Sequence, residues 1–477
     1  MPQDNSTSAA ISDNFDVDFE RLEEVIPRYD ASGPRYTSYP TAPSWNDDFG
    51  VEDYRSALQR TAERGSRSFA LYAHVPFCRS LCHFCACNRV ITRKEELPKR
   101  YLETIAKEIQ AVRECVPGNP TTSQLHWGGG TPTHLDPAQI QQLFRSMTDA
   151  FPLREGAEVS IEVDPRVTTQ AQIDVLAECG FNRISMGVQD MDPKVQEAIH
   201  RIQPEEQTRF IADAARKKGM ESVNLDLIYG LPFQSMESFS RTLDQVLDIG
   251  PDRIALYAYA HVAWKAKQQR SFDEKDLPDP KTRLRIMLMA IKRFVDAGYI
   301  YIGMDHFARP DDELCLARTE RSLRRNFMGY TTQSGVDLLG FGPSSISELN
   351  DSYIQSARDL GDWETRIEDT GFATMRGHLL SDDDQQRRWI IANLFCHGEL
   401  RSQDYEAKFG GNFSELYASE LARLEPMVAD ELVVVDSNGS IALTSLGRLL
   451  VRNVAMTFDA YLLEQQKSEK PLFSKTI

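Results

Sequence analysis

The stretch SFALYAHVPFCRSLCHFCACN, residues 68–88, joins a short apolar run to a loop with four of the chain's eight cysteines. The first ten residues are mostly apolar or aromatic, which predicts a buried β-strand over 68–77. Cys78, Cys82, Cys85 and Cys87 then follow with the spacing C-x3-C-x2-C-x-C. In a chain that is neither short nor rich in cysteine overall, such a cluster predicts a metal centre or redox chemistry.

Five further apolar runs follow, and amphipathic helical stretches separate them. The runs cover 123–132, 158–165, 183–190, 222–232 and 253–261. Helices are predicted at about 50–64, 97–115 and 204–219; in the last two, apolar residues recur at i, i+3 and i+4. Strands that alternate with helices indicate βαβ units and a parallel sheet. Six units in one run favour an α/β barrel or partial barrel over a short doubly wound sheet.

Polar or glycine-rich residues end each predicted strand. They are His74, Gly128 to Thr131, Glu162 with Asp164, Gln189 with Asp190, Asp226, and Tyr259 to His261. In (β/α) barrels the loops after the strands build the active site. Such residues are also ordinary in the turns that end strands, but six in succession favour one shared mouth.

The chain of 477 residues is long enough for two or three domains. Residues 1–50 are predicted to form an N-terminal arm that is disordered at its start. Residues 51–350 hold the barrel and its closing loops, with a last strand in DLLGFGPSSIS (337–347). Residues 365–477 are predicted to form a C-terminal helical domain, with a hairpin around Asn438–Gly439 and a helix over 445–464.

Helices with a hairpin are the pattern of a winged-helix module, which raises a nucleic-acid role. The net charge is −17 and no long block of Lys or Arg is present, which favours packing or a lid instead. The N-terminus has no features of a secretory signal, and no apolar run is long enough to span a bilayer. We therefore expect a cytoplasmic monomer that binds neither nucleic acid nor membrane.

Two kinds of metal centre suit the cysteine loop. Structural zinc sites usually join two ligand pairs across a longer loop, whereas these four thiols share one tight loop. Zinc, with His83 as a further ligand, stays an alternative. A 4Fe–4S cluster fits better, because one loop can present three thiolates to three corners and leave the fourth iron open.

The sequence resembles a known superfamily and one family within it. C-x3-C-x2-C after a first barrel strand is similar to the signature of the radical S-adenosylmethionine (SAM) superfamily, and GGGTP (128–132) falls at its glycine motif. The pair Cys87–Asn88 resembles the oxygen-independent coproporphyrinogen III oxidase family, although Ala86 stands where many relatives have Gly. Further motifs of that family are PRYTSYPTA (34–42), LHWGGGTPT (125–133), IEVDPR (161–166), GVQD (187–190), NLDLIYGLP (224–232), YAYAH (257–261), IGMDHFARPDDEL (302–314) and GYTTQSGVDLLGFGPSSIS (329–347).

The resemblance implies a fold, an activity and cofactors. The fold would be a partial (β/α)6 TIM-like radical-SAM barrel with an N-terminal arm and a mostly helical, winged-helix-like C-terminal domain. The activity would convert two propionates of coproporphyrinogen III to the vinyl groups of protoporphyrinogen IX in haem biosynthesis. It would use a 4Fe–4S cluster, two molecules of SAM, and a 5′-deoxyadenosyl radical that takes hydrogen from the propionate. An unidentified reductant and a terminal electron acceptor would be partners.

The resemblance also implies site residues. The cluster ligands would be Cys78, Cys82 and Cys85. The residues around the cluster-bound SAM would be Tyr72, Phe84, Gly129, Glu162 and Ile346, and those around the second SAM would be Gly130, Thr131, Gln189, Arg201, Asp226 and Ala260. Cys87 and Tyr72 are the catalytic candidates; the alternative for Cys87 is a packing thiol.

The substrate carries four carboxylates, so an acidic protein needs a local cationic pocket for it. Arg35, Arg309, Arg324 and Arg325 lie on loops with family motifs and are the candidates, although most arginines are surface residues. His306 is expected to be a structural histidine.

Two other functions compete with the oxidase. One is a radical-SAM paralogue that binds haem as a chaperone or degrades it. The close paralogue lacks the C-x-C cysteine, and we expect it to lack the RYTSYPTA arm; both features are present here, so the oxidase is favoured. The other is a non-enzymatic zinc or winged-helix binding protein.

Overall fold

The computed structural model describes residues 19–65, 67–264, 266–462, 473 and 475. The start of the predicted arm lies outside these described residues. The strands are β1 (Ser68–Val75), β2 (Phe77–Cys78), β3 (Val90–Ile91), β4 (Thr121–Gly129), β5 (Leu153–Val163), β6 (Arg183–Gln189), β7 (Ser222–Tyr229), β8 (Arg253–Ala258), β9 (Ile300–Gly303), β10 (His306–Ala308), β11 (Arg324–Asn326), β12 (Gly329–Thr331), β13 (Asp337–Phe341), β14 (Ile346–Leu349), β15 (Ser352–Ser356), β16 (Thr374–Leu379), β17 (Glu399–Leu400), β18 (Val433–Val435) and β19 (Ile441–Leu443).

Helices precede, separate and follow these strands. They are α1 (Phe19–Tyr29), α2 (Val51–Glu63), α3 (Glu96–Glu114), α4 (Pro137–Ala150), α5 (Gln170–Glu178), α6 (Pro193–Ala198), α7 (Glu205–Lys217), α8 (Met236–Ile249), α9 (Pro280–Asp296), α10 (Glu313–Thr319), α11 (Leu360–Thr370), α12 (Asp382–His397), α13 (Ser402–Phe409), α14 (Phe413–Leu416), α15 (Ala418–Arg423), α16 (Glu425–Ala429), α17 (Ser445–Leu449) and α18 (Val451–Met456).

One sheet of 12 strands forms the framework, in the order β16-β15-β14-β13-β1-β4-β5-β6-β7-β8-β10-β9. The six predicted strands are β1 and β4 to β8, and each pairs in parallel with the next. The two ends of this order do not pair, so the barrel is open. The predicted partial α/β barrel is therefore confirmed.

The predicted last strand, 337–347, is two strands rather than one. β13 pairs in parallel with β1, and β14 runs back antiparallel to β13. The chain turns between them through left-handed backbone at Gly342 (φ 91°) and Ser344 (φ 65°). The sequence prediction was wrong here because GFGPSSIS reads as a continuation of the strand.

Amphipathic helices pack on the outside of the parallel strands. In α3, Tyr101, Ile105, Ile109 and Val112 are buried and lie three or four residues apart. Each such side chain contributes about 1.5–3 kcal/mol by leaving water. Because each crossover returns the chain to the same end of the sheet, the carboxyl ends of all six strands face one mouth.

A second hydrophobic core joins the C-terminal helices to the N-terminal arm. Leu22 and Tyr36 of the arm pack in it with Phe395 and Val454. The hairpin at Asn438–Gly439 is confirmed, since β18 and β19 pair antiparallel on either side of it. The predicted helix over 445–464 is instead two short helices, α17 and α18, and it extends past the described residues. None of the described helices is long and apolar enough to cross a membrane.

Candidate active site

The cysteine loop is fixed to the barrel by backbone hydrogen bonds. Thr92 N–H donates to the Cys78 carbonyl at 3.0 Å, because β2 and β3 pair in parallel with Cys78 opposite Ile91. On the other side, Thr131 N–H donates to the Phe77 carbonyl at 2.8 Å. The loop that carries the thiols is therefore held between β3 and the glycine motif after β4.

Each cysteine of the loop is a free thiol, and all four line one cavity of about 280 Å³ at the barrel mouth. Cys78 Sγ lies 3.5 Å from Thr131 Oγ1. Cys82 Sγ accepts from Arg166 Nη2 at 3.4 Å and from Arg201 Nη1 at 3.7 Å. Two guanidinium groups therefore converge on one sulfur of the cavity.

Cys85 and Cys87 interact through their sulfur atoms. A hydrogen bond from the Cys87 thiol, together with Arg89 and Arg201, lowers the pKa of Cys85 to about 6, although burial opposes this. The same bond raises the pKa of Cys87. Cys85 is thus prepared as a thiolate ligand, while Cys87 keeps its proton beside it.

The glycine motif lets the backbone approach the cysteine loop closely. A Cβ on Gly130 would lie 2.6 Å from the Pro76 carbonyl carbon and oxygen. A Cβ on Gly129 would lie 2.6 Å from the His74 ring, and its φ of 113° disfavours any other residue. Larger residues at these two positions would push the cysteine loop away from the strand ends.

Glu162, at the end of β5, reaches under the glycine motif. Its Oε2 accepts from the Gly129 N–H at 3.2 Å, and its Oε1 lies 3.6 Å from His126 Nε2. Burial alone would raise the pKa of Glu162, but the bonds from His126 and Gly129 outweigh it and lower the pKa. The side chain is still 48% exposed, and the solvent it meets is inside the cavity. Glu162 is therefore an ionised acceptor that faces the cavity.

Asp226 of β7 is the second carboxylate of this cavity. Asn224 Nδ2 donates to its Oδ1 at 2.8 Å and Ser185 Oγ to its Oδ2 at 3.2 Å. Burial and the nearby charge of Glu162 raise the pKa of Asp226 to about 7. The two carboxylates thus differ in protonation, because two negative charges in one enclosed site are costly.

Arg201 and Arg166 share the carboxylate of Asp164. Arg201 donates to both oxygens of Asp164 at 3.3 Å and to the Gly187 carbonyl at 2.7 Å. Arg166 Nη2 donates to Asp164 Oδ2 at 2.6 Å. Burial opposes ionisation, but the two arginines lower the pKa of Asp164 to about 2. One carboxylate between two arginines leaves positive charge for an anionic ligand.

Gln189 sits at the end of β6 in left-handed backbone, with φ of 67°. The register between β6 and β7 shifts between Gly187 and Gln189. This shift turns the Gln189 side chain into the cavity lining. A non-glycine residue held in this conformation at a cavity wall is typical of a functional site.

Tyr72 and Ile346 lie in a neighbouring cavity of about 220 Å³ that Glu162 also lines. Tyr72 OH is 3.1 Å from His74 Nδ1, and its ring stacks on His126 at 6.0 Å between centroids. His74 Nε2 is 2.9 Å from the Asn88 carbonyl, which belongs to the cysteine loop. Tyr72 is therefore connected to that loop through one histidine.

The fold brings most of the predicted site residues together. Those that line the first cavity are Cys78, Cys82, Cys85, Cys87, Phe84, Gly129, Gly130, Thr131, Glu162, Gln189, Arg201 and Asp226. Ala260 lines neither of the two cavities; it is exposed, and its carbonyl accepts from Gln269 Nε2 at 3.2 Å.

Sequence reasoning gave no role to several residues of this site. Arg166 and His126 lie inside the motifs IEVDPR and LHWGGGTPT, which was the available signal. Tyr257 lines the cavity from YAYAH. Gln268 and Gln269 reach over the mouth to the carbonyls of Cys85 and Phe84, from a segment without a recognisable motif.

The four arginines proposed for the substrate are already engaged. Arg309 bonds to the Gly250 and Pro251 carbonyls, which precede β8 and therefore lie at the barrel end opposite the cysteine loop. Arg35 pairs with Asp305, and Arg325 donates to the Arg35 and Tyr36 carbonyls. Arg324 donates to the Leu323 carbonyl at 2.8 Å. Each of the four holds backbone or a carboxylate in place.

His306, at the start of β10, is half-buried. Its ring meets Tyr257 and Tyr330 edge-on, at 5.9 and 5.4 Å between centroids. Burial lowers its pKa to about 4, so the ring is neutral. Its Nδ1 has no hydrogen-bond partner among the described residues.

The cavity suits a cluster better than a single ion. Among the described residues, no three His, Cys, Asp or Glu side chains are close enough to hold one ion. Cys78, Cys82 and Cys85 instead line one cavity together. This arrangement suits a 4Fe–4S cluster, in which each thiolate binds a different iron. The glycine backbone and the ionised Glu162 leave room and acceptors for a ligand beside the cluster.

An open parallel barrel with three cysteines in the loop after its first strand defines the class of protein to which this chain belongs. The sequence model of the Radical SAM superfamily matches residues 72–246, which run from β1 into α8. The protein is thus of the radical SAM type, with a 4Fe–4S cluster and SAM as its cofactors.

Comparison of the whole chain narrows the class to one family. The oxygen-independent coproporphyrinogen III oxidase of Escherichia coli is 44% identical over 95% of this chain and 98% of its own length. That of Pseudomonas aeruginosa is 43% identical over 92% and 95%. A solved structure of the E. coli coproporphyrinogen III oxidase, described as a radical SAM enzyme, covers 90% of this chain and 97% of its own with a TM-score of 0.87. The chain belongs to the oxygen-independent coproporphyrinogen III oxidase family.

Proposed function

We propose that the protein converts coproporphyrinogen III to protoporphyrinogen IX in haem biosynthesis without oxygen. Each of two propionates loses one hydrogen atom, one CO2 and one electron and becomes a vinyl group. The observation that carries the proposal is the cavity lined by Cys78, Cys82 and Cys85 on a chain similar over 95% of its length to a curated oxidase. The curated relatives carry the oxidase name, so the haem-handling paralogue is not favoured. Membership of the oxidase family also disfavours the second alternative, a non-enzymatic zinc or winged-helix binding protein.

The cysteines hold the cofactor that supplies the hard chemistry. With a reduced 4Fe–4S cluster and SAM bound, the site supplies a 5′-deoxyadenosyl radical able to take hydrogen from an unactivated carbon. Cys78, Cys82 and Cys85 would be the cluster ligands. The Cys87 thiol beside Cys85 favours the thiolate that ligation needs, and two guanidinium groups donate to the Cys82 sulfur.

Two groups of residues would bind SAM. Tyr72, Phe84, Gly129, Glu162 and Ile346 would surround the molecule on the cluster. Gly130, Thr131, Gln189, Arg201, Asp226 and Ala260 would surround a second one. The support is chemical: Glu162 is an ionised acceptor for hydroxyl or amino groups, and Arg201 with Arg166 leaves positive charge that Asp164 does not balance, which suits a carboxylate.

Cys87 and Tyr72 are the side chains proposed to act beside the reacting carbon. Cys87 keeps its proton next to Cys85 and is exposed to the cavity, so it can give or hold a hydrogen at Sγ. Tyr72 is held by His74 and His126, which fixes its hydroxyl. The other lining residues position the substrate and exclude water.

The reaction also requires partners, a compartment and a domain arrangement. We propose a one-electron reductant for the cluster, a terminal electron acceptor, and a cytoplasmic monomer. We divide the chain into an arm (1–50), a barrel domain (51–350) and a C-terminal domain (365–477). The hydrophobic core that joins the arm to the C-terminal helices supports this arrangement as one unit.

The test is an anaerobic assay with matched cysteine variants. The protein is reconstituted with iron and sulfide, reduced, and incubated with SAM, coproporphyrinogen III and a cell extract as electron acceptor. We expect vinyl product and 5′-deoxyadenosine from the native protein and neither from Cys78→Ser, which loses a cluster ligand. Cys87→Ser should keep its iron and sulfide but lose most vinyl product. A fully loaded native protein that cleaves SAM without decarboxylation would contradict the proposed function.

A further inference from the structure

The cysteine loop is a basic region of an acidic chain. The net charge of the protein is −17, yet residues 77–100 contain six Lys or Arg and only two Glu. Lys99 pairs with Glu96, and Arg100 pairs with Glu364. The remaining acidic side chain of the segment is Glu95, so the other four basic residues leave a local excess of positive charge.

Three of those basic side chains are free for a partner. Arg79, Arg93 and Lys94 are exposed, and no ion pair or side-chain hydrogen bond engages them within the part of the chain that the structure describes. Ile91 lies beside them with 44% of its surface exposed. We call Ile91, Arg93 and Lys94 the outer face of the cysteine loop; Arg79 lies at its edge and also lines the cavity. An apolar centre with a charged rim is the usual composition of a protein docking site.

The outer face is distinct from the cavity that would receive SAM and substrate. Arg79, Arg89 and Arg166 line that cavity, whereas Ile91, Arg93 and Lys94 do not. The three outer residues are therefore exposed outside the cavity lining. They are placed to meet a molecule that approaches the cysteine loop from outside the barrel.

A short covalent and hydrogen-bonded route links the outer face to a cluster ligand. Ile91 is the register partner of Cys78, and Thr92 N–H donates to the Cys78 carbonyl at 3.0 Å. Neighbouring strands lie about 4.8 Å apart, so the backbone of the outer face is one strand spacing from the ligand. A donor bound at this face would be separated from the cluster by little more than β3 and Cys78.

We propose that the outer face of the cysteine loop docks an acidic protein that carries single electrons, and that the electron enters by way of Cys78. This proposal rests on the proposed function, which needs a one-electron reductant. One electron leaves the reduced carrier and passes to the oxidised cluster; no proton and no bond is moved. Charge complementarity between a basic patch and an acidic carrier speeds the encounter of the two proteins.

The test measures binding and electron transfer separately, with flavodoxin as the probe. Flavodoxin is an acidic flavin protein whose hydroquinone gives up one electron and becomes the semiquinone. The variant is Arg93→Glu with Lys94→Glu. The matched control is Lys217→Glu, an exposed residue at the end of α7, at the other end of the barrel.

Binding of oxidised flavodoxin to the cluster-loaded protein is measured first, without SAM or substrate, at low and high salt. We expect salt-sensitive binding that the double variant weakens by about tenfold or more, because two charges are reversed. Lys217→Glu should stay within about twofold of the native affinity. Equal affinity for all three proteins would overturn the proposal.

Stopped-flow absorbance then follows reduction of the cluster. Reduction by flavodoxin hydroquinone should slow by about tenfold in the double variant, and reduction by dithionite should be unchanged. A higher KM for coproporphyrinogen III in the dithionite-supported assay, with native flavodoxin binding, would assign the face to the substrate instead. Failure of the proposed function would appear differently, as a native protein that makes no vinyl product with dithionite although it binds flavodoxin.

Discussion

At the scale of single residues, ionisation is set by the neighbours of each group. Glu162 and Asp226 face the same cavity, yet hydrogen bonds lower the pKa of the first, while burial and the charge of the first raise the pKa of the second. Asp164 stays ionised because Arg201 and Arg166 share it. Pairs of acids whose environments separate their pKa values are typical of catalytic sites.

One buried carboxyl outside the site makes stability depend on pH. Glu108 of α3 accepts from the Gly342 N–H at 2.7 Å and from Trp363 Nε1 at 3.3 Å, but burial still raises its pKa from 4.5 to about 7. The folded protein thus holds this proton to a higher pH than the unfolded chain. The contribution of the proton to stability is complete below pH 4.5 and is lost as the pH rises to about 7.

Glu108→Gln should remove this dependence. Because glutamine cannot ionise, the variant should gain stability relative to the native protein by roughly 3 kcal/mol between about pH 4.5 and pH 7. The measurement is the urea midpoint of both proteins at several pH values. Glu103→Gln, an exposed position on the same helix, is the control and should follow the native protein. A difference in urea midpoint between Glu108→Gln and the native protein that does not change with pH would contradict the raised pKa of Glu108.

At the scale of elements, a connecting segment clamps the cysteine loop. Gln269 is 1% exposed and lies between β8 and α9. Its Nε2 donates to the carbonyls of Phe84 and Ala260 at 2.9 and 3.2 Å, and its Oε1 accepts from Val262 N–H at 2.6 Å. One buried amide thus ties the loop between two proposed cluster ligands to the segment after β8.

Gln269→Ala should loosen the cysteine loop. Each buried group left without its partner costs about 1–3 kcal/mol, which favours opening of the loop. Iron should therefore pass from the loaded protein to a chelator several-fold faster, measured anaerobically by absorbance. Gln142→Ala, at an exposed position of α4, should release iron at the native rate. Iron release from Gln269→Ala at the native rate would argue against a clamp. So would faster release that is accompanied by a matching fall in the melting temperature of the whole protein, because the loop would then not be loosened locally.

At the scale of the whole molecule, the described part of the N-terminal arm is bound to the C-terminal helices. The arm lies against the C-terminal helices, where Tyr36 OH donates to Asp459 Oδ2 at 2.9 Å. Arg452 of α18 donates to the Pro34 carbonyl at 3.1 Å. From the other side, Arg325 of β11 donates to the carbonyls of Arg35 and Tyr36. The arm is therefore a joint between the barrel and the C-terminal helices.

Tyr36→Phe should release the arm. The change leaves the buried Asp459 without this donor, at a cost of about 1–3 kcal/mol. Trypsin should then cut after Arg28, whose side chain is 51% exposed, several-fold faster than in the native protein. Tyr299→Phe removes a hydroxyl that donates to Pro251 far from the arm, and should not change this rate. Unchanged cleavage in Tyr36→Phe would show that the hydroxyl does not hold the arm.

The sequence by itself determined the parallel framework and most of the site. The length of the apolar runs and their alternation with amphipathic helices identified the six parallel strands, because each strand is an apolar run between polar turns. The polar residues at the strand ends were predicted to share one mouth, since the carboxyl ends of parallel strands lie at one edge. The individual cluster and SAM residues came instead from the resemblance to the oxidase family.

Only the tertiary structure decided what depends on contacts between distant segments. The sharing of Asp164 by two arginines, the clamp by Gln269 and the engagement of Arg35 and Arg325 leave no local pattern. The basic residues of 77–100 are visible in the sequence, but only the fold shows which of them stay unpaired. The splitting of 337–347 into two strands depends on how β13 adds to β1. The periodicity of apolar residues indicates which face of a helix or strand is buried. The partner of each polar group is fixed only when the chain has folded.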